Sequence, residues 1–75
     1  MTERKSLQYY LNLIYPFKVY PDPEGGYVAN IEELPGCVTQ AETPEELFIA
    51  INNARRGWIE VAYEDGQTIP EPKKD

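Results

Sequence analysis

The chain has 75 residues, with 13 acidic against 7 basic, a formal net charge of −6, one cysteine and no histidine. A chain this short holds at most one compact domain and buries only about 60% of its unfolded surface, so a homodimer is expected to supplement a thin core. Scattered basic residues exclude a phosphate-neutralising groove and with it direct nucleic-acid binding. Lone Cys37 excludes an internal disulfide, and the missing histidines remove the commonest general base and metal ligand.

Residues 1–10 read as an N-terminal arm or short helix, with Glu3, Arg4 and Lys5 ahead of Leu7, Tyr9 and Tyr10. From Leu11 the period becomes two: Leu11, Leu13, Tyr15, Phe17 and Val19 alternate with Asn12, Ile14, Pro16, Lys18 and Tyr20, which predicts a first strand. Pro16 cannot donate to a ladder, so that strand is expected at a sheet edge. Pro21 to Gly26 concentrates turn formers and predicts a hairpin into a second strand, Tyr27 to Ile31. Glu32 to Gly36 is a second reversal, and Cys37 to Ala41 a third, short strand, so that residues 11–41 form a β-meander.

Thr43-Pro44-Glu45-Glu46 carries the signals of a helix start: a capping hydroxyl, proline at the first helical position and acids near the positive end of the dipole. The helix is expected over residues 43–64, with Asp65-Gly66 as its stop. Leu47, Ile51, Ala54, Trp58 and Val61, widened by Ala50 and Ala62, form the stripe expected to cover the meander. Phe48, Ile49, Ile59 and Tyr63 lie off that stripe, and Gly57 interrupts the helix interior at about 1 kcal/mol relative to alanine. These features hint at a second contact surface, and Tyr20, Phe48, Ile59 and Tyr63 are the candidate partner or oligomer interface. Residues 67–75 are expected to be an extended tail because of Pro70 and Pro72, with Lys73-Lys74-Asp75 at its frayed end.

Active-site chemistry finds little support. The neighbouring acids Glu32-Glu33, Glu45-Glu46, Asp22 with Glu24, and Glu64-Asp65 fall in turns and at helix ends, where capping and solvation account for them. They do not converge as a glycosidase pair or a metal-dependent nuclease would require. Cys37 lacks a histidine to activate it and reads as a small core residue. Arg55 and Arg56 read as a solvated helix face, with Arg56 paired to Glu60 one turn on. Tyr10, Tyr15, Tyr20, Tyr27, Tyr63 and Trp58 read as core and interface mass rather than base-stacking platforms. The expectation is an α+β binding domain over residues 1–75, with no catalytic, cofactor-binding or metal-binding residues. With no apolar run long enough for a signal or membrane segment, the expected location is cytoplasmic.

Four blocks in order, Asp22 to Ile31, Leu34 to Gln40, Thr43 to Leu47 and Glu64 to Pro72, resemble the HicB-like antitoxin family. The resemblance implies a partly RNase H-like fold in which the post-helix segment can add a fourth strand. It also implies a small, basic, mRNA-cleaving toxin as the protein partner, bound over its active surface, and does not bring a catalytic acid set. Family members usually continue into a DNA-binding domain, which this sequence does not reach by Asp75, so operator binding is not expected of it. The competing reading is an orphan homo-oligomeric domain of the same family with no toxin partner and a regulatory or structural role.

Overall fold

The computed structural model describes residues 5–72. Its elements run α1 (Leu7–Leu11), β1 (Lys18–Pro21), β2 (Tyr27–Asn30), β3 (Val38–Ala41) and α2 (Pro44–Glu64). The strands form one antiparallel sheet in the order β1-β2-β3, and α2 packs across β3 and β2. This is the expected α+β arrangement of a three-stranded meander and one long helix.

Each reversal has a local cause. In the first, the Asp22 carbonyl accepts from Gly25 N at 2.9 Å, Asp22 Oδ1 accepts from Glu24 N at 3.0 Å, and Asp22 N donates to Gly26 O at 2.9 Å. Gly26 takes φ +82°, and a Cβ there would meet the Ala41 carbonyl oxygen at 2.6 Å, so no other residue fits. In the second, Leu34 N donates to Ile31 O and Cys37 N to Leu34 O, which folds the fully buried Leu34 side chain under the sheet.

The α2 boundaries are the ones its sequence announces. Thr43 Oγ1 accepts from Glu46 N at 3.2 Å and donates to the Glu46 carboxylate, with Pro44 at the first helical position. At the other end Gly66, at φ +73°, lets Gly66 N reach Tyr63 O and Gln67 N reach Ala62 O, the paired bonds of a Schellman ending.

The first predicted strand needs correcting. Leu11 closes α1, which Ser6 caps by accepting from Tyr9 N at 3.1 Å; Asn12 ends the helix, its N–H donating to Gln8 O, and residues 13–17 form a strap paired with no strand. Pairing begins only at Lys18. The alternation is nonetheless real as burial: Tyr15 is buried and Leu13 and Phe17 half-buried, while Ile14 and Pro16 face outward. Side-chain anchoring holds the strap in place of a ladder. Arg55 Nη1 donates to Leu11 O at 2.9 Å, and the Tyr15 hydroxyl donates to Pro70 O. The same bond ties down the tail, in which Ile69 is buried. Residues 67–72 pair with no strand, so the fourth strand does not form there. Pro70 and Pro72 have no N–H to offer a ladder. The expectations for residues 1–4 and 73–75 lie outside the described residues.

The core comprises Tyr15, Ala29, Ile31, Leu34, Cys37, Leu47, Ile51, Ile59, Ala62 and Ile69. It overturns the predicted stripe at two positions. Val61 is 61% exposed, and Ile59 is fully buried. Ile59 lies one turn from Arg55 and one from Tyr63, and both reach the N-terminal arm, Arg55 at Leu11 O and Tyr63 by its hydroxyl to Lys5 O at 2.9 Å. The arm covers that flank of α2 and draws Ile59 inward, and Val61 on the other flank has no such cover.

Candidate interaction surface

The phase of the β ladder decides which backbone groups face outward. Asp22 N bonding to Gly26 O directs Lys18 and Tyr20 of β1 towards β2, and so turns Val19 and Pro21 to the free edge. Pro21 has no N–H, and Lys18 is paired with Glu32 at 2.7 Å beside this edge. At the other side, Ile31 N bonding to Cys37 O directs Cys37 and Thr39 towards β2, so Val38 and Gln40 face outward from β3. The Val38 N–H turns back to Gly36 O, leaving the carbonyls of Val38 and Gln40 and the Gln40 N–H along the edge. β3 carries neither proline nor charge.

Around the β1 edge, apolar side chains stand in the open. Val19, paired with Ala29, lies on the helix side of the sheet but beyond the reach of α2, and is 49% exposed. Phe48 is 58% exposed, and its ring lies against that of Phe17, at 6.2 Å between centroids. Tyr20 is exposed on the opposite sheet face, in the row it shares with Val28 and Gln40. A cleft of about 350 Å³ runs between the strap and α2 here, bordered by Ile14, Phe17, Phe48 and Arg55. At one end of the sheet Asp22, Glu24 and Glu42 line a shallow depression, and Glu45 and Glu46 follow on the first turn of α2. This end of the molecule is strongly acidic.

Beside β3 lies a wider groove of about 850 Å³ between Pro35–Val38, α2 and the tail. Trp58 forms part of its wall, half-buried, and its indole N–H donates to Pro35 O at 2.8 Å. The bare flank of α2, with Ala54, Gly57 and Val61, forms another part. Nothing lies within 4 Å of where a Cβ on Gly57 would stand, so no packing within the monomer requires a glycine there.

Among the titratable groups, burial pushes the Tyr15 hydroxyl up to about 12 and raises the Cys37 thiol, which leaves Cys37 protonated and unreactive. Hydrogen bonds that the ammonium groups donate to carboxylates, Lys5 to Glu71 and Lys18 to Glu32, raise both lysines. No group of three or more Asp, Glu, Cys or His among the described residues could hold a metal ion, and none of the helices there is long and apolar enough to cross a membrane. The expected Arg56–Glu60 pair is not formed. Arg55 beside it turns inward to the arm instead of lying on a solvated face.

Of the four interface candidates, Tyr20 on β1 and Phe48 on α2 are exposed, on opposite faces of the sheet. Ile59 is corrected to a core residue, because the arm covers it. Tyr63 is half-buried at the far end of α2, where it stacks near Tyr10, with 6.2 Å between ring centroids, and binds the arm. Sequence reasoning missed the exposed Val19, Val38 and Val61. For Val61 no periodicity signal was available, since its spacing from Ala54 and Trp58 is that of a buried residue.

The fold and this surface make a small α+β domain with uncovered apolar flanks and an acidic end. The chain belongs to the HicB-like antitoxins of bacterial toxin-antitoxin systems, whose family pattern matches residues 15–74. It is 41% identical over 56 residues to a UPF0150 protein of Synechocystis sp., covering 75% of this chain and 77% of that protein. A UPF0150 protein of Thermoplasma acidophilum is 39% identical over 56 residues, covering 75% of this chain and 81% of that one. Antitoxin HicB of Escherichia coli K12 is 36% identical over 58 residues, covering 77% of this chain but only 42% of the antitoxin.

Proposed function

We propose that the chain is a toxin-binding antitoxin module that sequesters a small, basic, mRNA-cleaving protein, and that it does so as a homodimer. The observation that carries the reading is the exposure of the apolar side chains Val19 and Tyr20 on β1 and Phe48 on α2, in a domain whose hairpin end carries the carboxylates of Asp22, Glu24 and Glu42. Exposed aromatics supply anchor area at a protein interface, and flanking carboxylates steer a cationic partner. Family membership supports a toxin as that partner. The pairing of a proline-guarded edge with exposed side chains favours contact through side chains there rather than through an added strand.

The test is co-expression with any short basic protein encoded beside this gene, followed by co-purification and an RNA-cleavage assay on the complex. The wild-type chain should suppress cleavage. Phe48→Asp should weaken capture by about tenfold or more while leaving the fold intact, because the side chain is exposed in the free protein. Association should slow as salt rises, since screening removes the attraction between an acidic module and a basic partner. A neighbouring basic protein that neither binds the chain nor loses activity on mixing would overturn the reading.

A further inference from the structure

The geometry points to the β3 edge and the groove beside it as the surface that pairs with a second copy of this chain, β3 running antiparallel to its counterpart so that the two sheets become one. This deepens the dimer reading above and rests on it, adding the surface and its register of approach.

Three independent features converge there. First, the two sheet edges are treated differently. Pro21 and the paired Lys18 guard β1, whereas β3 leaves the Gln40 N–H and the carbonyls of Val38 and Gln40 along an edge with no charge and no proline. Natural sheets blunt edges that must stay single, so an unguarded edge is one that finds a partner strand. Second, no residue lining the adjoining groove is charged, in a chain whose formal net charge is −6. A second copy carries the same negative field and can approach closely only where charge is absent, whereas a basic partner would forgo its attraction at this place. Third, Gly57 sits in mid-helix with open space where its side chain would be, between Ala54 and Val61 on the flank facing the groove. Small residues on that flank let a second α2 come near the first.

Antiparallel pairing also resolves the charge at the ends of the strand. It sets Glu42 of each copy opposite the uncharged Pro35-Gly36 turn of the other instead of opposite its own counterpart. A strand of four residues covers too little area alone. A stable interface buries about 800 Å² on each partner, roughly a seventh of the 5579 Å² surface of this chain, and the helix flank and groove extend the contact towards that size.

The deciding experiment is sedimentation equilibrium of the full chain at micromolar concentration, with circular dichroism of each variant to establish folding. Val61→Glu places a charge on an exposed position of the interface, Gly57→Leu fills the space between the helices, and Gln40→Pro removes the outward N–H without touching the β2 ladder. The wild type is expected to be a dimer, undiminished by added salt, and each folded variant to weaken dimerisation by about tenfold or more. Val61→Glu and Gly57→Leu keep the test open if Gln40→Pro does not fold. A wild-type dimer that Val61→Glu and Gly57→Leu leave intact overturns this surface while sparing the dimer reading. A wild-type monomer overturns both. Loss of toxin capture by Val61→Glu in a monomeric wild type assigns the groove to the toxin and overturns the proposal.

Discussion

The two flanks of α2 each carry a β-branched residue, Ile59 or Val61, and the two meet different fates. On the flank towards β1, the N-terminal arm lies over the helix, fastened through Leu11 O and Lys5 O, and Ile59 disappears into the core. On the flank towards β3, Ala54 and Val61 border an open groove, and Val61 stays exposed. The two β-branched residues stand two positions apart. Their difference shows that burial on a helix is set by what lies beside it as well as by the phase of its own stripe.

The largest effect separates these residues directly. Ile59→Ala should cost about 2–5 kcal/mol, because it empties a fully buried site in a small core, whereas Val61→Ala should change monomer stability by no more than about 0.5 kcal/mol. Urea unfolding at low protein concentration measures both. Equal losses would erase the distinction between the flanks.

Next in size is the strap that accompanies the covered flank. Tyr15→Phe removes the hydroxyl that holds Pro70 O and should cost about 1 kcal/mol at neutral pH. Tyr15 also gives a pH signature. Its folded-state value is pushed up from 10 to about 12, so as pH rises through that window the unfolded chain ionises first and stability falls. Stability from this source is complete below pH 10, and the Phe variant should lack this part of the alkaline loss. A wild type and variant with parallel alkaline profiles would show that the hydroxyl is not buried as described.

An effect of about the same size serves as a control common to both flanks. Thr43→Ala removes the cap that Glu46 N uses and should cost about 1 kcal/mol, with faster hydrogen exchange confined to the first turn of α2. Exchange that quickens along the Ile59 flank instead would tie the arm to the helix start.

Much of the fold was legible because its signals are local. The capping residues of α2, the Asp22–Gly26 turn and the helix stop at Gly66 each act through hydrogen bonds within a few residues, and the structure forms all of them. The alternation from Leu11 to Val19 reported side-chain burial correctly but could not report pairing, because an extended strap and a strand share the same two-residue period. Among the interface candidates Tyr20 and Phe48 are exposed, whereas the burial of Ile59 required knowledge of where a distant arm would rest.

The sequence by itself determined the order of elements, the reversals between them and the negative charge, since composition and short-range hydrogen bonding carry that information. Only the tertiary structure decided which flank of α2 is covered and which sheet edge is left unguarded. Those outcomes depend on contacts between residues 44 to 58 positions apart, Arg55 with Leu11 and Tyr63 with Lys5, and on the phase of a ladder that a single hydrogen bond at each turn sets.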